Sequence, residues 1–180
     1  EFQYELRSKE ADFDGLAAEW IKRCQDFRDA NDVAVDLAYG DGEREKLDLF
    51  RGADGGPVLI YIHGGYWQRG DKAMYSFVAE PFMAAGVNVA VINYTLTPAC
   101  RLGDIAPQVQ RAIGWLWHHA DELKIDRNAI SVMGHSAGGH LTAMMMAVDW
   151  PAFDAAMPVD TVKAGMPISG IFELEPLVHT

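Results

Sequence analysis

The stretch Val132-Met133-Gly134-His135-Ser136-Ala137-Gly138-Gly139-His140 decides how this chain is read. An apolar run from Ala129 to Met133 stops at Gly134. A serine follows two residues later, and a helix-like run then continues toward Asp149. A strand that turns sharply into a helix through G-x-S-x-G strains the serine backbone and exposes its hydroxyl at the carboxyl end of the strand. Gly134 and Gly138 fall where a Cβ would clash. The helix N-terminus beside the serine favours negative charge. Ser136 is therefore the expected nucleophile. A glycine-flanked serine alone is more often a plain turn; the strand before it, the helix after it and a second motif upstream set that reading aside.

The second motif follows the apolar run Val58-Leu59-Ile60-Tyr61-Ile62 and reads His63-Gly64-Gly65-Tyr66-Trp67. Consecutive glycines let backbone approach a ligand and aim N–H groups at it. In acyl transfer such donors stabilise the oxyanion that develops on the carbonyl oxygen. The expected donors are the backbone N–H groups of Gly64, Gly65 and Ala137, the last just after the nucleophile. His63 reads as a support for the loop rather than as the catalytic base, which in this motif arrives later in the chain, in the order Ser, Asp/Glu, His. His135 is expected under the elbow and His140 on the first helical turn. His118 and His119 read as surface or packing residues. Tyr66 and Trp67 suit an aromatic wall for a flat substrate, with core packing an equal reading for one of them.

Outward from these motifs the chain alternates. Helical periodicity spans residues 9 to 30, with Phe13, Leu16, Ala17, Trp20, Ile21, Cys24 and Phe27 as its apolar positions, Asp12 as its cap and Asn31 at its end. Val33 to Tyr39 alternates as a half-buried strand, Gly40-Asp41-Gly42 turns, and Leu47 and Leu49 begin a second strand of a hairpin. Val58 to Ile62 and Val87 to Tyr94 are continuously apolar, as strands buried on both faces are. Helices are expected over 72 to 85, kinked or interrupted at Pro81, over Ile105 to Lys124, and over Ala137 to Val148. Val162 to Ser169 reads as a further strand. From residue 58 the order β-α-β-α-β-α-β predicts a mostly parallel sheet with helices on both faces and ligands outside the strand carboxyl ends. No repeat or linker divides residues 1–180, so one domain is expected.

Composition narrows the partners. An apolar fraction of 49% and a charged fraction of 23% are those of a globular protein. A net charge of −11 makes nucleic acid and anionic membrane poor partners. Cys24 and Cys100 lie in unrelated segments without C-x-x-C spacing, so free thiols are expected, with no metal site. The first ten residues are polar and carry Glu1, Glu5 and Glu10, unlike a signal peptide, and no apolar run has the length of a membrane span. A cytoplasmic location is the default expectation; the missing initiator Met leaves a removed leader open.

With these residues in view the chain resembles the α/β-hydrolase superfamily. His63-Gly64-Gly65-Tyr66-Trp67 is similar to the HGGYW signature of kynurenine formamidases, relatives of the HGGG carboxylesterases, which have a third glycine where this chain has Tyr66. Asn93-Tyr94-Thr95-Leu96-Thr97-Pro98 and Gly134 to Gly139 extend the similarity over residues 30 to 176. The resemblance implies an α/β-hydrolase fold with an antiparallel amino-terminal hairpin. It implies hydrolysis of an aryl formamide such as N-formylkynurenine in tryptophan breakdown, with a small-molecule substrate and no metal or organic cofactor. It leaves room for a homodimer. A short-chain carboxylesterase is the nearest alternative, and a non-catalytic binding protein of the same fold is the alternative from another class.

The superfamily carries its acid and its histidine after later strands. Asp149, Asp154, Asp160 and Glu173 come too early, and His179 lacks the preceding strand. The expectation is that both partners lie beyond Thr180, that the chain is the amino-terminal portion of an α/β-hydrolase domain whose carboxyl-terminal part is missing, and that one sheet edge is open.

Overall fold

The computed structural model describes residues 12–175. Its strands are β1 (Val33–Ala38), β2 (Lys46–Phe50), β3 (Gly56–Ile62), β4 (Asn88–Ile92), β5 (Ile125–His135) and β6 (Val162–Ile168). They form one sheet in the order β1-β2-β4-β3-β5-β6. β1 and β2 are an antiparallel hairpin, and β2 joins β4 antiparallel. From β4 across β3 and β5 to β6 every pairing is parallel. The expected mostly parallel sheet with an antiparallel amino-terminal hairpin is thus what the chain builds.

Side chains alternate between two apolar layers because successive strand residues point to opposite faces. On one face Leu47, Leu49, Ile60, Ile62, Ile92 and Val132 pack against α3 (Leu102–His118) and α5 (Ala137–Met146), with α4 (Ala120–Leu123) and α6 (Trp150–Phe153) at the rim. On the other, Phe50, Leu59, Tyr61, Val89, Val91 and Met133 meet Phe27 of α1 (Phe13–Ala30), the 3-10 helix Lys72–Ala79 and α2 (Glu80–Ala84). β6 is the outermost described strand, and every residue after Val162 in it is exposed, including Met166 and Ile168.

Several local expectations are corrected. Asp12 does cap α1, accepting from the Gly15 N–H at 3.2 Å, and Asn31 ends it; residues 9 to 11 lie outside the described residues. The apolar positions of α1 are only partly inward, with Leu16, Trp20 and Ile21 exposed. Pro81 interrupts the helical stretch, one of the two outcomes expected, and does not kink it: the 3-10 helix ends at Ala79 and α2 begins at Glu80. The proline sits in the first turn of α2, where its missing N–H has no intrahelical partner to lose. The expected helix from Ile105 to Lys124 begins earlier, at Leu102, and breaks after His118, and Lys124 ends α4 in the left-handed region at φ 54°. Val33 to Tyr39 is not a plain alternating strand: its register shifts between Ala34 and Leu37, and Asp36 lies at φ 56°. Both cysteines are free thiols; Cys24 is buried and Cys100 half-buried.

Candidate active site

β5 ends at His135 and α5 starts at Ala137, so Ser136 occupies the whole of the turn between them. Its backbone lies at φ 57°, ψ −116°, a conformation L-residues avoid. Close approach of three backbone segments imposes it. A Cβ on Gly134 would lie 2.4 Å from the Gly138 carbonyl oxygen, and one on Gly138 only 2.0 Å from that of Ile62. The Ser136 N–H donates to the Ile168 carbonyl of β6 at 2.9 Å, and the Ser136 carbonyl accepts from the His140 N–H at 3.0 Å. Ser136 is half-buried at the carboxyl end of the sheet.

The loop after β3 comes up beside it. A Cβ on Gly64 would meet the His135 carbonyl oxygen at 2.6 Å and the Ser136 Cβ at 3.3 Å, so Gly64 lies directly against the elbow. The next peptide is oriented by His63, whose Nδ1 lies 2.8 Å from the Gly64 carbonyl oxygen. A carbonyl only accepts, so Nδ1 carries the hydrogen. In a trans peptide the N–H points opposite to the carbonyl. Holding the Gly64 carbonyl on the histidine side therefore turns the Gly65 N–H the other way. Ala137 is the first residue of α5, so its N–H has no intrahelical acceptor.

His63 is fully buried, and its ring stacks on that of Tyr94 with centroids 4.4 Å apart. The Tyr94 hydroxyl donates to the His63 carbonyl at 2.8 Å. Burial is the main cause that pushes the His63 pKa down to about 4, which keeps the ring neutral. The reading of His63 as loop support agrees with this geometry.

Gly65, Tyr66 and Trp67 all have positive φ, at 119°, 58° and 57°. The N–H groups of Gln68 and Arg69 donate back to the Gly65 carbonyl at 3.1 and 3.0 Å, which closes a left-handed turn. Trp67 is buried in the core, its ring edge-on to that of His140 at 5.4 Å. Its carbonyl accepts from the Thr97 N–H at 2.8 Å. Of the two aromatics, Tyr66 is the exposed one.

Other sequence-level placements resolve as follows. His135 is exposed, not packed beneath the elbow, because the turn directs it away from the sheet. His140 lies on the first turn of α5, and burial lowers its pKa. His118 pairs with Asp154 at 2.7 Å, and His119 stacks on Trp115. Asp149 caps α6, Asp160 pairs with Lys163, and Glu173 accepts from the Glu175 N–H. Among the described residues none of these carboxylate or histidine side chains hydrogen-bonds to the Ser136 hydroxyl; His179 lies outside them. No group of three or more His, Cys, Asp or Glu side chains among the described residues could hold a metal ion. No described helix is long and apolar enough to cross a membrane.

One group near the site escaped the sequence reading. Asp71 and Arg44 join Asn93 and Tyr94 in a polar cage behind His63. Arg44 sits in a hairpin turn, where an arginine carries no signal of a long-range role.

The BD-FAE family model matches residues 48–165. Kynurenine formamidase of Danio rerio is 31% identical over 156 residues, covering 85% of this chain and 51% of that protein. Esterase LipC of Mycobacterium tuberculosis is 33% identical over 142 residues, covering 76% of this chain and 35% of that protein. A crystal structure of a Silicibacter sp. protein carrying a thioesterase designation superposes with a TM-score of 0.79 at 32% identity, covering 98% of this chain and 65% of that one. The chain thus spans about half the length of the kynurenine formamidases it matches.

Proposed function

Because this chain belongs to the BD-FAE family, of α/β-hydrolase type, we propose that it carries the nucleophile and oxyanion site of a serine hydrolase of carboxylic amides or esters. The preferred substrate is an aryl formamide of the N-formylkynurenine kind. One observation carries the reading: Ser136, strained at φ 57°, sits directly against the backbone of Gly64. Strain is retained at such a position where the surrounding structure over-determines it, and it clusters at reacting residues.

In this reading the Ser136 hydroxyl attacks the formyl carbon as a base takes its proton. Charge develops on the formyl oxygen within reach of the N–H groups of Gly64, Gly65 and Ala137. The carbon–nitrogen bond then breaks, the aryl amine leaves with the proton returned by the base, and Ser136 holds a formyl ester. Water, deprotonated by the same base, hydrolyses that ester to formate and restores the serine. The base is a histidine outside the described residues, in the order the motif implies. Activity should then fall as that histidine protonates, near or below neutrality. In this reading exposed Tyr66 is the aromatic wall for the aryl group, while Trp67, buried in the core, serves packing.

The likeness to kynurenine formamidases over 85% of this chain supports the formamide. The likeness to esterase LipC supports an ester substrate, and so a carboxylesterase as the second reading. The test uses the protein expressed from its complete gene. Turnover of N-formylkynurenine is compared with that of p-nitrophenyl acetate, alongside labelling by a fluorophosphonate. Preference for the formamide supports the first reading and preference for the ester the second. A protein that turns over neither and is not labelled at Ser136 is a binding protein of this fold, and the proposal fails.

A further inference from the structure

Arg44 projects from the turn between β1 and β2, far in sequence from both motifs. Its guanidinium nevertheless reaches the back of the loop that carries Gly64 and Gly65. Nε donates to the Tyr94 carbonyl at 2.9 Å, Nη2 donates to the Gly70 carbonyl at 2.8 Å, and Nη1 faces Asp71 at 3.4 Å.

Both carbonyls belong to residues that touch His63. Tyr94 stacks on the His63 ring and donates its hydroxyl to the His63 carbonyl. Gly70, at φ 107°, lies at the Nδ1 edge of the ring: a Cβ there would be 2.6 Å from His63 Nδ1 and 2.7 Å from the Gly64 carbonyl oxygen. One planar fork therefore ties together two of the walls around His63, the Tyr94 ring on its face and the Gly70 backbone at its Nδ1 edge, where His63 holds the Gly64–Gly65 peptide. A lysine could reach one carbonyl but could not bridge both in a fixed plane.

From this geometry we infer that Arg44 is a positioning residue for the oxyanion loop: it fixes the walls around His63 and so the direction of the Gly65 N–H. The inference rests on the serine-hydrolase reading above. Two further observations agree with it. Asp71 closes the loop on the same cation. Burial opposes its ionisation, yet the Ala73 N–H, the Asn93 amide and Arg44 hold its pKa below the usual carboxylate range. The Arg44 charge also adds to burial in disfavouring a protonated His63, so the ring stays neutral while Nδ1 donates to the Gly64 carbonyl. Arg44 touches no reacting atom, so its contribution passes entirely through the loop.

The test compares wild type, Arg44→Ala and Arg44→Lys in the protein expressed from its complete gene, with p-nitrophenyl acetate as substrate and a fluorophosphonate as the Ser136 probe. In Arg44→Ala, kcat and the labelling rate should fall about 10- to 100-fold, while KM changes less than about threefold, because a misdirected oxyanion donor affects the transition state and not ground-state binding. Guanidinium ion at millimolar concentration should restore part of kcat. Arg44→Lys keeps the charge and fold but should remain at least about tenfold slow; it decides the matter if the alanine variant does not fold. A folded Arg44→Ala or Arg44→Lys with kcat within about twofold of wild type would overturn the inference and leave the serine-hydrolase reading intact. Wild type that neither hydrolyses the ester nor labels at Ser136 would remove both, and that failure is read on wild type alone.

Discussion

Lys72 Nζ lies 2.7 Å from Asp48 Oδ1 in a region closed to solvent. Arg28 of α1 holds the other carboxylate oxygen of Asp48, and the Asp36 N–H donates to Oδ1 at 2.9 Å. Lys72 also reaches Asp36 at 2.8 Å. One buried acid thus joins α1, the bulge of β1, the centre of β2 and the 3-10 helix. Asp48→Ala leaves Lys72 buried without its main counter-charge and strands the Asp36 N–H. Such a break should cost about 3–5 kcal/mol. Removing the exposed partner, Asp36→Ala, should cost less than about 1 kcal/mol. Urea denaturation of both variants checks the ranking, and equal losses would contradict it.

Gly138 is the tightest point at the elbow. Gly138→Ala must push α5 away from the end of β3, since backbone, not a movable side chain, stands 2.0 Å from the new Cβ. The expected loss is about 3 kcal/mol, at the upper end for overpacking. Hydrolysis should also fall, because the same shift carries Ala137 away from Gly64. By contrast Gly103→Ala, on the open start of α3 with nothing within 4 Å, should be neutral or slightly stabilising. Thermal melts of the pair separate a specific clash from a general intolerance of new side chains.

The signals that were legible were those whose cause is local. β3 and β4 showed as uninterrupted apolar runs because both their faces are covered, and G-x-S-x-G showed because only glycine fits beside the elbow. What stayed hidden depends on partners distant in sequence. Asp48 interrupts Leu47-Asp48-Leu49 and reads as a solvent-facing residue; the structure buries it because Arg28 and Lys72, 20 and 24 residues away, neutralise it. Likewise Pro81 reads as a break until the 3-10 helix before it shows that a new helix starts there. The exposed face of α1 at Leu16, Trp20 and Ile21 follows the right period, and periodicity alone does not say how much of that face is covered.

His63 links stability to pH. Its folded pKa of about 4 lies below the ordinary histidine value of 6.5, chiefly through burial. As pH falls below 6.5 the unfolded chain takes up a proton that the folded protein refuses until about pH 4. Stability present in full above pH 6.5 is therefore lost progressively down to about pH 4, by an amount on the order of 3 kcal/mol across the whole window. His63→Gln, which can still donate to the Gly64 carbonyl, should flatten the dependence between pH 5 and 7. Urea midpoints measured through that range decide it; an unchanged slope in the variant would place the titrating group elsewhere.

Strain at Ser136 separates stability from catalysis. At φ 57°, ψ −116° a side chain costs about 1–3 kcal/mol, and glycine pays none of that cost. Part of the gain is offset by the extra freedom glycine has in the unfolded chain, about 0.5–1 kcal/mol. Ser136→Gly should therefore be more stable than wild type by about 1 kcal/mol while losing all covalent labelling. Ser136→Ala keeps the Cβ and the strain, so it should be equally inactive but no more stable. A glycine variant that is less stable than the alanine variant would mean that the elbow is relaxed, and the strain argument for Ser136 would go with it.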